Sequence, residues 1–196
     1  MAHPQRLRAA LAAIDAANAR DPQRIELRGE SRPKELAHAE LATSWVEALV
    51  SMPSEALLLA ARAHHLRRWE SPRDAYPAGR VGYHRWRKDL QAFHARCVGE
   101  ILEREGYDAA TIARVKDIVR KQELGRDPEV QAFEDALCLI FLETQLRELA
   151  GRLDEDKLLG VMRKTLKKMS PAAVARAREL PLDPEHVALI ERATTG

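Results

Sequence analysis

Seven consecutive apolar residues, Ala136-Leu-Cys-Leu-Ile-Phe-Leu142, constrain this chain most. They sit in a segment of helical spacing that opens at Asp127-Pro128 and is predicted to run to about Leu153. A helix that is apolar on every side is stable only when buried on every side. The run is too short to span a bilayer, which takes about 20 residues. Other helices must therefore wrap around it, and the expected fold is a single-domain, all-α orthogonal bundle with this segment at its centre.

The rest of the chain supplies those helices. Helical periodicity predicts segments over Pro4–Ala19, Pro33–Ser51, Pro53–Trp69, Tyr83–Glu105 and Ala109–Leu124. Asp154–Met169 and two short segments opened by Ser170-Pro171 and Asp183-Pro184 follow, for about seven to nine helices in all. A capping residue followed by proline recurs at these starts and marks the first helical turn. No clear strand is predicted, and Arg20–Arg32 reads as a polar loop. The expected core spans about residues 33–153, with the helices of 154–196 docked on it. At 196 residues and 45% apolar content the chain is long enough for one sizeable core.

Charge is unevenly placed. The net charge is only +2, too small to imply a nucleic-acid partner. Between Arg62 and Lys88, however, eight basic residues face two acids, Glu70 and Asp74, so the remainder of the chain sums to −4. A concentrated positive field attracts anions. Arg67, Arg68, Arg73, Arg80, Arg85 and Arg87 fall here, and guanidinium groups suit phosphate or carboxylate. Tyr83, Trp86 and Trp69 are placed either to stack on a base or to pack the Pro/Gly-rich loop of residues 70–82. A second basic stretch, Lys157–Lys168, reads as a solvated helix face or an RNA contact. Cys97 and Cys138 sit among apolar neighbours without a C-x-x-C motif, as buried hydrophobes do. No leader or membrane span is read, so the expected compartment is the cytoplasm.

One carboxylate stands out. Asp135 directly precedes the apolar run and shares the stripe Ala132, Asp135, Leu139, Leu142, Leu146. A carboxylate in such a place stays ionised only when paired, hydrogen-bonded or bound to a cation. His38, on the apolar face of the second helix, and His64 and His65, at the end of the third, are the side chains expected to meet it. Glu134 is a candidate general base, and His94 a candidate proton carrier in the same cleft. The residues alone leave open a metal site, a metal-free anion site, or a buried polar network tying helices together.

The order of His38-Ala-Glu-Leu, then Ala63-His-His-Leu66, then Glu134-Asp135-Ala-Leu resembles the HD-domain superfamily of metal-dependent phosphohydrolases. The resemblance implies a divalent metal held by His38, His64, His65 and Asp135, and a phosphate-ester substrate. It departs in one place: the second residue of the His-Asp doublet is His65. A set of three imidazoles and one carboxylate suits Mn, Fe, Co or Zn better than Mg. A closer resemblance covers most of the chain. Pro33-Lys-Glu-Leu36, Ala60-Ala-Arg-Ala-His-His-Leu-Arg-Arg-Trp69, Tyr76-Pro-Ala-Gly-Arg80, Gly82-Tyr-His-Arg-Trp-Arg87 and Asp127-Pro-Glu-Val-Gln-Ala-Phe-Glu-Asp135 carry it. It is similar to an uncharacterised bacterial and fungal family, some members labelled glutamyl-tRNA-synthetase-like, which implies no established activity.

Together these readings predict a metal-dependent phosphohydrolase-like protein acting on or binding a phosphorylated small molecule such as a nucleotide. Glu134 and His94 would handle protons, and Arg67, Arg68, Arg73, Arg80, Arg87, Tyr83 and Trp86 would hold the substrate. The alternative is a non-catalytic anion-, nucleotide- or tRNA-binding module that uses the Arg62–Lys88 segment. No membrane partner is expected.

Overall fold

The computed structural model describes residues 4–27 and 29–195. It is all-α apart from one short hairpin. The order is α1 (Pro4–Asn18), β1 (Arg24–Leu27), β2 (Glu30–Pro33), α2 (Lys34–Leu49), α3 (Glu55–Arg62), α4 (Gly79–Arg104), α5 (Ala109–Val119), α6 (Pro128–Thr144), α7 (Leu146–Ala150), α8 (Glu155–Leu166), α9 (Pro171–Arg178) and α10 (Pro184–Thr194). Two single-turn 3₁₀ segments, Arg68–Glu70 and Arg73–Ala75, join α3 to α4. Ser54, Asp108, Asp127, Asp154 and Ser170 each accept from a first-turn amide, satisfying orphan donors at five helix starts. No helix among the described residues is long and apolar enough to cross a membrane.

The expected polar loop is corrected to an antiparallel hairpin in which Ile25 pairs with Arg32 and Leu27 with Glu30. Its two-cycle alternation Arg-Ile-Glu-Leu is too short to read as a period, yet it half-buries Ile25 and Leu27. The hairpin delivers the chain to α2. There Asp21, itself buried, accepts from the Glu35 amide at 2.9 Å and seats the first turn.

α6 lies at the centre, as its sequence requires. Phe133, Leu139 and Leu142 are fully buried. Its first half joins α1–α5 in one apolar cluster, and its second half joins α7–α10 in another. The helix is not buried on every side, however. Leu137 and Phe141 are only half-buried and line a cavity. α6 also ends at Thr144 rather than near Leu153, because Gln145 leaves helical geometry (φ −125°) before α7 begins.

α3 likewise ends earlier than its periodicity suggests. The helix stops at Arg62, whose guanidinium holds Asp15 of α1 through two bonds of 2.6 and 2.7 Å. The chain then turns tightly through Ala63–Arg67, and Arg67 is left-handed (φ +57°). Its amide donates to the buried Asn18 side chain at 3.2 Å, which fixes the turn. That turn aims His64 and His65 away from the helix axis and into the bundle's cleft.

Candidate functional site

Between α3, α4, α6 and α8 lies a cavity of about 490 Å³. Its floor is a chain of hydrogen bonds built from α2 and the turn after α3. Arg68 donates from Nη1 to His65 Nε2 at 2.8 Å. A guanidinium has only donors, so Nε2 must be unprotonated and the His65 proton must sit on Nδ1. Nδ1 in turn donates to Glu35 Oε2 at 3.0 Å. Arg68 Nε closes the loop at 3.8 Å from Glu35 Oε1. Burial acts against the charge of Glu35, but His65 and His38 beside it prevail and hold its carboxyl well below the ordinary range. Burial, with His64 and Arg68 nearby, pushes His65 well below its usual value. The floor is therefore an ionised Glu35, a neutral His65 and a cationic Arg68.

Two more imidazoles stand along this floor. The His64 and His65 rings lie 4.2 Å apart, and those of His65 and His94 5.8 Å apart. His64 Nδ1 donates to the Ala61 carbonyl at 2.9 Å, and His94 Nδ1 to the Leu66 carbonyl at 2.8 Å. Each ring is thus held with its Nε2 lone pair unprotonated. The His94 Nε2 is buried without a partner. Burial lowers His64 to about 3 and His94 to about 4, so both are neutral at pH 7.

The opposite walls are cationic. Arg87 from α4, Lys121 after α5, and Lys164 and Lys168 from the end of α8 line the cavity with Arg68. Glu134 is its single carboxylate; it pairs with Lys121 and lies 3.6 Å from Lys168. Lys121 is left-handed (φ +58°) and ends α5, where the Gln122 amide donates to the Asp117 carbonyl at 3.0 Å. Cys138 lies beside Glu134, and burial raises its thiol to about 12. It is an inert wall group.

The residues expected from sequence are divided by this geometry. His64, His65, His94, Arg68, Arg87, Tyr83 and Glu134 all line the cavity. His38 stays behind it, with Nδ1 3.6 Å from Glu35 and Nε2 3.4 Å from the Thr144 hydroxyl. Asp135 is buried but turned elsewhere. It accepts from Gln131 Nε2 at 2.9 Å and from the Ser170 amide at 2.8 Å, anchoring the start of α9. Among the described residues the groups close enough to share a cation here are Glu35, His38 and His65, without Asp135 or His64. Neighbours on a helix point about 100° apart, so Glu134 faces the cavity and Asp135 faces α9.

Three arginine and tryptophan positions are also corrected. Arg67 binds Glu70 at 2.7 Å and lines a separate surface hollow with Arg20 and Arg104. Arg73 spends its donors on the carbonyls of Tyr76 and Pro77, at 3.0 and 2.9 Å, and holds the loop shut. Trp86 is buried, donates to the Ser71 carbonyl at 2.9 Å and packs under the Arg68 guanidinium at 5.2 Å. Arg80 reaches only the outer mouth of the cleft. The groups missed by sequence reasoning are Glu35 and Lys121; Lys164 and Lys168 belong to the basic stretch read as a solvated face or an RNA contact. Glu35 lies three residues before His38 on one helical face, a signal that was available. Lys121 carried none.

A family model matches residues 8–190. The chain belongs to the DUF4202 family, a domain of unknown function. Neither a curated protein nor a solved structure matches the chain. In this DUF4202 chain the match spans the hairpin, the floor and both basic walls, so the whole cleft lies within the family's domain.

Proposed function

We propose that the cleft binds the phosphoryl group of a small phosphorylated ligand such as a nucleotide. Arg68, Arg87 and Lys164 meet the anion, and the Glu35–His65 pair holds Arg68 in place. The observation that carries this reading is the charge balance of the cavity: five cations line it, and only Glu134 in its wall and Glu35 behind Arg68 answer them. Among the described residues no carboxylate oxygen lies within 4 Å of Arg87 or Lys164. Next to them stands the unpartnered His94 Nε2, an acceptor for a ligand hydroxyl or, once protonated, a donor to phosphate. A charge-assisted bond to phosphate in a half-enclosed site is among the stronger polar contacts. A thermal-shift panel of inorganic phosphate, nucleoside monophosphates and uncharged nucleosides tests it. Stabilisation by the phosphorylated members alone is expected; no shift with any of them contradicts it. A cytoplasmic setting suits such a ligand.

A second reading, metal-dependent phosphohydrolysis of the HD type, is favoured by one observation. Ligand atoms of Glu35, His38 and His65 all lie within 4.8 Å of one another. Two imidazoles and a carboxylate suit Mn, Fe, Co or Zn better than Mg. The hydrogen bonding argues the other way. A metal at His65 Nδ1 needs the lone pair there, which moves the proton to Nε2 and sets it against the Arg68 N–H at 2.8 Å. As arranged, the three residues fit a proton and a guanidinium rather than a metal, and no hydrolytic step is assigned to them. Elemental analysis after loading with Mn or Zn and desalting checks this. One ion retained per chain, and lost in Glu35→Gln, would restore the metal reading.

A further inference from the structure

Outward from the inner cavity the cleft continues into a broader hollow of about 950 Å³. Tyr83, Lys164 and Lys168 line both, so the two hollows adjoin. The outer part adds Arg80 and Lys167, and no carboxylate lines it. Its cations come from two segments far apart in sequence, the first turn of α4 and the end of α8. The Pro77–Gly82 contact seats the loop that carries Arg80. A Cβ on Gly82 would stand 1.9 Å from the Pro77 carbonyl oxygen, so only glycine lets the loop fold back this closely. Arg80 Nε donates to His84 Nε2 at 3.4 Å, which leaves His84 an acceptor and the guanidinium without a counter-charge. Among the described residues no carboxylate lies within 4 Å of Arg80, Lys164 or Lys167. Like charges gathered this way repel one another unless an anion lies between them.

We propose that the cleft takes an organic polyphosphate, a ligand with at least two phosphoryl groups at two depths, such as a nucleoside di- or triphosphate. This rests on the phosphate reading above and extends it. The inner phosphoryl group meets Arg68 and Arg87. The chain then runs outward past Lys164, and its further groups meet Arg80, Lys167 and Lys168. Lys164 lies in the last turn of α8, and Lys167 and Lys168 lie in the turn that follows it, so the three ammonium groups come from one short stretch of chain. Tyr83, 46% exposed, stands where the two hollows join and offers a ring face for a base. Leu137 and Phe141 of α6 give the inner hollow an apolar wall.

Calorimetry at low salt with inorganic phosphate, inorganic triphosphate, AMP, ADP, ATP and a 5′-phosphorylated single-stranded oligonucleotide tests this. ADP and ATP are expected to bind at least roughly tenfold more tightly than AMP. ATP is expected to exceed inorganic triphosphate, through Tyr83. The double substitution Arg80→Ala and Lys167→Ala involves exposed residues and leaves the fold intact. It is expected to remove the gain from AMP to ATP while leaving AMP affinity within about twofold. Equal affinity for AMP and ATP, or a gain that survives the double substitution, overturns the polyphosphate assignment and leaves the phosphate reading standing. Tighter binding of the oligonucleotide than of ATP overturns it in favour of a nucleic-acid end. Binding of none of the ligands defeats both.

Discussion

Arg68 donates to His65 Nε2 at 2.8 Å, and that one contact sets the protonation of the cleft floor. It places the His65 proton on Nδ1, turns that proton toward Glu35, and leaves Glu35 as the internal counter-charge of Arg68. A cation supplied by the chain itself thus stands on the Nε2 side of His65.

Glu35→Gln tests this floor. Glu35 is buried and Arg68 half-buried, so removing the carboxylate leaves a cation poorly solvated and ungrouped. Breaking a buried pair from one side costs about 3–5 kcal/mol, and the partial exposure of Arg68 reduces this to about 2–3 kcal/mol. Urea denaturation measures it. A loss below about 0.5 kcal/mol would mean that the floor is not coupled as described.

Acid sensitivity follows from His64 and His94. Their folded values of about 3 and about 4 lie below the unfolded value near 6.5. Between pH 6.5 and 4 the unfolded chain binds protons that the folded chain refuses, so stability falls as pH falls. Glu35, held below its usual range, acts in the same direction at lower pH. His94 alone accounts for a loss on the order of 3 kcal/mol by pH 4, at roughly 1.4 kcal/mol per unit. His94→Asn keeps a donor for the Leu66 carbonyl and removes the titration. Its stability curve is expected to be flatter over this window, as read from denaturation midpoints at several pH values; an unchanged curve would show that His94 does not titrate as assigned.

Asp135→Ala separates scaffold from site. Asp135 binds the Ser170 amide and Gln131 and does not itself line either hollow of the cleft. Leaving those donors unmet costs about 1–3 kcal/mol. The variant is expected to be less stable by that amount and to bind phosphorylated ligands as the natural chain does. Loss of binding without loss of stability would return Asp135 to the site.

The helical frame was legible because its signals are local. Apolar spacing and the cap-proline pairs mark the starts of α6, α9 and α10. The cleft was legible as a list of residue types, since His64, His65, His94, Arg68, Arg87 and Glu134 all reach it. The pairing was not legible. Whether Glu134 or Asp135 faces the cavity depends on the rotation of α6, which long-range packing decides. The early end of α3 depends on Asn18 capturing the Arg67 amide across 49 residues. Lys164, read as part of a solvated face or an RNA contact, is exposed, and nothing local says that it also lines a cavity with Arg87.

Gly82→Ala tests how the loop that carries Arg80 is seated. The added methyl meets the Pro77 carbonyl, a backbone atom that cannot swing aside. Overpacking of this kind costs about 1–3 kcal/mol. The loop would shift and carry Arg80 and Tyr83 with it. Reduced protection of the Arg73–Tyr83 amides in hydrogen exchange is the expected readout, and unchanged protection would contradict the tight seating.

The central claim is that an unpaired guanidinium in the cleft receives a phosphoryl group, and Arg87 is the residue on which it turns. Calorimetric titration of the natural chain and of Arg87→Ala with AMP at low salt measures it directly. A charge-assisted bond of about 1.5–3 kcal/mol predicts an affinity roughly ten- to a hundredfold weaker in the variant, with its unfolding midpoint unchanged. Equal affinities in the two proteins, or no binding by the natural chain, would contradict it.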